Sequence, residues 1–277
     1  MNRDGTAELG LKFASLLSFL REAECALLAF SGGVDSTFLL KAMKVAGMKI
    51  LAVTSVSDTM PEKDCYSAVA FAKDEGIEHI TIRTDELSKE EFARNAPDRC
   101  FYCKDELFRR LRQIAEERNL RYVFDGSNSD DLADYRPGRR AAELHRVRSP
   151  LAECGFSKDE IRTKSRELGL VTWSRPSSPC LSSRFPYGQR ITTVLLKRVE
   201  AAEEFLKTFG VHEVRVRDHG DTARIEVGEG DMQVMLNPGT RRLVTEKFKS
   251  LGYKFISLDL EGYKSGSLNR VLVALKN

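Results

Sequence analysis

At 277 residues the chain has room for one large domain or two smaller ones, and its 42% hydrophobic and 31% charged content excludes a disordered or fibrous chain. The net charge of +3 is too weak to argue for nucleic acid, and no apolar run reaches the length of a membrane span. Residues 1–24 lack a signal-peptide pattern, so the expected location is the cytoplasm, where the six cysteines are core residues, metal ligands or reactive thiols rather than a disulfide scaffold.

Residues 7–24 read as an amphipathic helix with Leu9, Phe13, Leu16, Leu17 and Leu20 on one face. The apolar run 25–30 has the length of a buried strand. Ser31-Gly-Gly-Val-Asp-Ser36 follows it, and 37–46 then carries apolar positions at helical spacing up to Gly47. The order is strand, tight glycine turn, helix. Two adjacent glycines let the backbone approach an anion closely, and the helix start offers unpaired N–H groups and a positive dipole end. Ser31, Ser36 and Thr37 add hydroxyls. No lysine follows the glycines, which excludes the GxxxxGK[ST] loop.

A second strand is expected over 49–55, a helix from Pro61 to about Gly76, and a third strand over 78–83. A helix over 104–118 and a fourth strand over 122–125 follow. Strands alternating with helices predict a parallel, doubly wound α/β sheet with ligands at the carboxyl ends of its strands. Polar residues collect at those ends. Thr54-Ser-Val-Ser57 is placed to meet an adenosine group. Gly126-Ser-Asn-Ser-Asp-Asp131 is either a turn with a helix cap or a second wall of the same crevice. Asp130 and Asp131, together with Asp35, are candidate Mg²⁺ ligands, since magnesium uses few carboxylates alongside substrate phosphates.

Arg136, Arg139 and Arg140 lie in a basic loop that either meets an anionic substrate or is simply solvated. Ser157-Lys-Asp-Glu160 is a capping box that opens a helix closed by Gly169. The stretch 173–188 is rich in proline and serine and reads as a long polar loop. Near residue 190 the pattern changes to a helix over 194–209, a hairpin around His219-Gly-Asp221, a helix near 240–251 and a strand over 254–258. The expected division is therefore a domain over 1–188 and a small α+β domain over 189–277, with the boundary at 186–190. No internal repeat or low-complexity segment is present.

Among the cysteines, Cys25 and Cys65 read as structural, and Cys154 has no assigned role. Cys100 and Cys103 form a CxxC pair that is half of a metal site, a redox pair, or two thiols packed at a helix start. Lys104 beside them is a candidate phosphate contact. Cys180 sits in the polar loop with Arg175 and Arg184 near in sequence, a setting that favours a reactive thiolate over packing.

SGGxDS resembles the PP-loop of the ATP pyrophosphatases, which cleave ATP between its α- and β-phosphates and adenylylate a substrate oxygen. Nearly the whole chain resembles the LarE-type ATP-dependent sacrificial sulfur transferases. The likeness rests on Ser31-Gly-Gly-Val-Asp-Ser36, Arg99-Cys-Phe-Tyr-Cys-Lys104, Gly126-Ser-Asn-Ser-Asp-Asp131 with Asp134-Tyr-Arg-Pro-Gly138, and above all Pro179-Cys-Leu-Ser-Ser-Arg184. The resemblance implies ATP and Mg²⁺ as cofactors, and pyridinium-3,5-biscarboxylic acid mononucleotide as substrate in the making of the nickel-pincer nucleotide of lactate racemase. It also implies a homo-hexamer working beside other enzymes of that pathway, with no nucleic-acid or membrane partner.

By the same likeness Ser31, Gly32, Gly33, Asp35, Ser36, Ser57 and Gly126 would hold ATP, and Cys180 would give up its sulfur and remain as dehydroalanine. Lys104, Ser183, Arg184, Glu203, Arg215 and Arg217 would meet substrate or phosphate. For Glu203, Arg215 and Arg217 an exposed helix face and strand face is the competing expectation. A subtype of the family holds a sulfide-carrying iron–sulfur cluster on three cysteines near this position; Cys180 stands alone in its loop. The competing functions are a tRNA thiolase, an ammonia-using ligase, and a nucleotide-binding regulator that never turns over.

Overall fold

In the computed structural model the described residues are 3–133, 137–176, 178–264 and 266–267; Arg136 of the basic loop lies outside them. The chain divides into two compact units. One is Met1–Phe92 with Asp98–Ser178, and the other is Ala93–Pro97 with Pro179–Asn277.

The first unit is built on β1 (Cys25–Ala29), whose middle residues are fully buried. α1 (Arg3–Ala23) leads into it and α2 (Val34–Val45) leaves it. Then come β2 (Lys49–Val56), α3 (Glu62–Asp74), β3 (Glu78–Arg83), the short α4 (Glu90–Ala93), α5 (Arg99–Glu117) and β4 (Tyr122–Phe124). The short helices α6 (Asp130–Ala133), α7 (Gly138–Leu144) and α8 (Pro150–Glu153) precede α9 (Lys158–Glu167). The sheet is parallel throughout, in the order β3-β2-β1-β4. Ala26, Leu28 and Ala52 pack into one apolar layer with Leu16 and Phe38, while Leu27, Leu51 and Val53 pack into another with Phe108 and Leu111. Side chains from both faces of β1 and β2 are buried, which is why these two strands read as continuous apolar runs rather than alternating ones.

Strand order reverses at β1. The chain moves outward through β2 and β3, then returns to place β4 on the other side. The loops after β1 and β4 therefore part at adjacent strand ends and leave a crevice there, the position that open α/β sheets use for ligands.

The second unit holds α10 (Thr193–Lys207), β5 (Val214–His219), β6 (Thr222–Val227), α11 (Met232–Leu236), α12 (Pro238–Ser250) and β7 (Phe255–Leu258). Its sheet runs β5-β6-β7, with β5 and β6 an antiparallel hairpin and β7 parallel to β6. Gly220 supplies the positive φ of 72° that the tight turn between the hairpin strands requires.

Two departures from the expected elements bear on the site. α2 begins at Val34, so Asp35, Ser36 and Thr37 lie in its first turn. α5 begins at Arg99 rather than 104, which puts Cys100 and Cys103 on the helix itself. Its first turn buries Arg99, a charged residue that gives no apolar signal in sequence.

Candidate active site

The glycine turn is held in shape before any ligand arrives. Gly32 adopts φ +71°, a region that side-chain-bearing residues avoid, and an added Cβ would lie 3.0 Å from Ala68 Cβ. Ser31 and Ser36 hydroxyls bond each other at 3.1 Å. The Gly32 carbonyl accepts from the Arg175 guanidinium at 3.0 Å, and the same guanidinium donates to Ser67 Oγ at 3.1 Å. Arg175, expected beside the thiol from its place in sequence, thus braces the glycine turn. Its own backbone carbonyl is held by Arg162 at 2.8 Å.

The loop after β4 closes on this turn. A Cβ on Gly126 would stand 2.9 Å from the backbone nitrogen of Ser36, so only glycine admits the approach. Asn128 Oδ1 accepts from the backbone N–H groups of Asp130 and Asp131, and Asp131 Oδ2 accepts from Asn128 N. Lys158 N donates to Asp130 Oδ2 at 2.8 Å. Ser31, Gly32, Gly33, Asp35, Ser36 and Gly126 are therefore brought together, as the sequence motifs require. The segment 126–131 is both a capped turn and a wall beside the glycine loop.

Asp35 is the charged group of this cradle. Lys158, at the first position of α9, pairs with its Oδ2. Its Oδ1 is buried with no hydrogen-bond partner. Burial pushes the Asp35 carboxyl up; Lys158 opposes that push, Asp131 adds to it and Arg162 opposes it. A buried carboxylate oxygen left over, with a second carboxylate close by, is the donor chemistry that suits a hard cation such as Mg²⁺. Among the described residues no three His, Cys, Asp or Glu side chains gather as a metal site. Magnesium here would thus lean on phosphate oxygens for most of its shell.

The other candidates have local partners of their own. Ser57 follows β2, and its hydroxyl bonds Thr59 at 2.9 Å. Lys104 extends from α5 over the Phe108 ring, 5.1 Å from its centre. Cys100 is exposed; Cys103 Sγ stands 3.8 Å from Glu86 Oε1. Arg139 pairs with Glu143, and Arg140 stacks on Phe101.

In the second unit, Cys180 precedes a 3-10 turn, Leu181–Arg184, and is partly exposed. Leu181 and Phe185 anchor the turn in the core at 1% and 0% exposure, leaving the thiol-bearing residue at its rim. Arg184 organises it. Nη1 donates to the carbonyls of Pro179 and Cys180 at 2.8 and 3.2 Å, while Nε and Nη2 grip the Glu203 carboxylate, both at 2.8 Å. Glu203 Oε1 also accepts from the Val216 N–H of β5 at 2.9 Å.

Burial would raise the Glu203 carboxyl, but Arg184 and the Val216 amide hold it below the ordinary range. Arg217 donates to the Ser183 carbonyl at 2.9 Å and pairs with Glu226, and Arg215 stacks over Tyr263. Burial pushes the Arg215 guanidinium down, and Arg184 pushes the same way.

The expectation of exposed faces for Glu203, Arg215 and Arg217 is overturned: all are under 10% exposed. Alternation with Val214 and Val216 suggested solvent for the two arginines. Instead, Glu226 and Tyr263 cover that side of β5. Among the described residues of this unit the buried charges are Arg184, Arg215 and Arg217 with the carboxylates of Glu203, Asp218 and Glu226.

The fold is that of a parallel α/β protein with a glycine turn at the switch point of its sheet, its chain continuing into a small α+β unit that carries Cys180. No family model matches the chain. It is 43% identical over 262 residues to the uncharacterized protein slr1717 of Synechocystis, covering 94% of this chain and 98% of the other. It is 37% identical over 271 residues to the pyridinium-3,5-bisthiocarboxylic acid mononucleotide synthase of Lactiplantibacillus plantarum, covering 96% of each. Against the uncharacterized protein MJ0830 of Methanocaldococcus jannaschii it is 33% identical over 239 residues, covering 86% and 90%. The chain belongs to the family of that synthase, the LarE-type sulfur transferases.

Proposed function

We propose that the chain inserts sulfur into a pyridinium mononucleotide. It would adenylylate a carboxylate of pyridinium-3,5-biscarboxylic acid mononucleotide with ATP and convert it to a thiocarboxylate, using the sulfur of Cys180. The observation that carries this reading is the match to the Lactiplantibacillus synthase along 96% of both chains. It is supported by the partly exposed thiol at position 180 and by the glycine cradle.

A carboxylate is a poor electrophile, and adenylylation gives it a leaving group. The substrate oxygen attacks the α-phosphorus and pyrophosphate departs into the N–H groups of the glycine turn, where donors already fixed in place stabilise the developing charge. Mg²⁺ bound near Asp35 would supply further charge neutralisation to the phosphates. The Cys180 thiolate then attacks the acyl carbon, the C–O bond to AMP breaks, and a thioester forms. A base removes the Cys180 α-proton, the electron pair forms the Cα–Cβ double bond, and the Cβ–S bond breaks toward sulfur. Thiocarboxylate leaves and dehydroalanine stays, so each chain acts once. Arg184 holds the peptide carbonyls on both sides of the Cys180 α-carbon. Arg184, Arg215 and Arg217 offer guanidinium donors that would suit the anionic groups of the mononucleotide.

The test is a single-turnover reaction with ATP, Mg²⁺ and the mononucleotide. AMP, pyrophosphate and thiocarboxylate should each approach one per chain. Cys180→Ala should release pyrophosphate and make no thiocarboxylate; full product formation by that variant would reject the thiol's role.

A further inference from the structure

The cysteines of the CxxC pair take no part in the reaction above. Both lie at the start of α5, three residues apart and so on one face of the helix. Ideal helical geometry sets their Cα atoms about 5 Å apart, inside the roughly 4.4–6.8 Å that a disulfide spans. Cys100 is exposed and Cys103 is half-buried. We infer that the pair is a thiol–disulfide exchange site whose substrate is a low-molecular-weight disulfide, with Glu86 taking the proton of Cys103.

Three observations carry it. The two thiols differ in exposure, so one is open to attack a disulfide and the other is placed to resolve the product. The exposed one sits at the second position of a 19-residue helix, where the backbone N–H groups and the positive dipole end favour negative charge. The sheltered one faces a carboxylate: the Cys103 thiol donates to Glu86 Oε1 at 3.8 Å. Glu86 is only 4% exposed, and the same oxygen accepts from the Thr84 hydroxyl at 2.8 Å. Thr84 gives its one proton to Glu86, so Ser55 is the donor in the 2.6 Å bond between the two hydroxyls. These hydroxyls hold the carboxylate against the thiol. Two thiols that merely packed would need no buried carboxylate, which burial disfavours. In the exchange, the Cys100 thiolate attacks one sulfur of R–S–S–R, that bond breaks, and RS⁻ leaves to take up the proton that Cys100 released to solvent. Cys103 then passes its proton to Glu86 and attacks the Cys100 sulfur. The second RS⁻ leaves and takes the proton from Glu86. The pair is oxidised by two electrons and the small disulfide is reduced to two thiols.

The experiment treats the reduced full chain with hydroxyethyl disulfide, without ATP or mononucleotide, and then blocks remaining thiols with iodoacetamide. Trypsin cuts after Arg99 and Lys104, so both sulfurs fall on one peptide, Cys100-Phe-Tyr-Cys-Lys104, read by mass spectrometry. In the native chain this peptide should carry an internal disulfide, two hydrogens lighter than the dithiol and closed to iodoacetamide. Cys103→Ser should stop at a mixed disulfide on Cys100. Glu86→Gln keeps an acceptor for Thr84; it should form that mixed disulfide at the native rate and close it severalfold more slowly. A native peptide that stays reduced, or that holds the mixed disulfide without closing, would overturn the inference. Closure at the native rate in Glu86→Gln would overturn the role of Glu86. Should the Gln variant misfold, Glu86→Asp, which draws the carboxylate back from the thiol, is read against the same outcomes. Cys180 falls on a different peptide and no sulfur transfer is involved, so a failure of the functional reading would show separately, in the single-turnover assay.

Discussion

Gly32 and Gly126 carry the site by what they lack. Alanine at 126 would press its methyl against the backbone of Ser36, which cannot yield as a flexible side chain can. Overpacking of this kind costs about 1–3 kcal/mol. Gly126→Ala should therefore lower the melting temperature and weaken ATP binding together, measured by calorimetric scanning and titration. Glu203 acts differently. Removing one member of a buried ion pair costs about 3–5 kcal/mol, because the partner charge is left uncompensated. Glu203→Gln should speed hydrogen exchange at the Val216 amide, which the carboxylate accepts.

The pH dependence of that loss has a defined sign. The folded Glu203 carboxyl is held below its ordinary value near 4.5. Its stabilisation is fully present above that value and disappears as pH falls through the lower folded one. The exchange difference between native and variant chains should therefore shrink below about pH 4.5 and stay constant above it; a difference that grew on acidification would contradict the pairing.

At the scale of elements, α9 shows how a local signal serves a distant site. The capping box over 157–160 was legible as a helix start, and both of its reciprocal bonds are present. What the helix start holds was not legible. Its Phe156 carbonyl and Lys158 amide stitch down the loop after β4, and its lysine meets a residue 123 positions earlier. Ser157→Ala should cost about 0.5–2 kcal/mol as a lost cap. It should also weaken pyrophosphate binding, because the loop after β4 loses its anchor; calorimetric titration checks this.

The parallel strands and their polar carboxyl ends could be read from short apolar runs followed by glycine, serine and aspartate. The side of β5 that buries Arg215 and Arg217 could not. Alternation reports which residues differ, and a charge is assigned to solvent unless its partner is known. Here the partners of Arg217 are Glu226 on the neighbouring strand and the Ser183 carbonyl, neither visible from β5 alone. The start of α5 was hidden for the same reason, since Arg99 is buried in its first turn.

At the scale of the whole molecule, two compact units divide the chemistry. The glycine cradle belongs to one, and the thiol loop with its buried arginines belongs to the other. Strand order could not be deduced from periodicity, because local pattern says nothing of which strands become neighbours. The alternation of strands and helices predicted only that the sheet would be parallel. That the thiol is consumed is the claim on which the functional reading stands, and it leaves a covalent record. After one turnover with ATP, Mg²⁺ and the mononucleotide, the intact chain should be lighter by the mass of H₂S, with the loss mapping to residue 180. Thiocarboxylate product from a chain of unchanged mass would contradict the account and assign the sulfur to another donor.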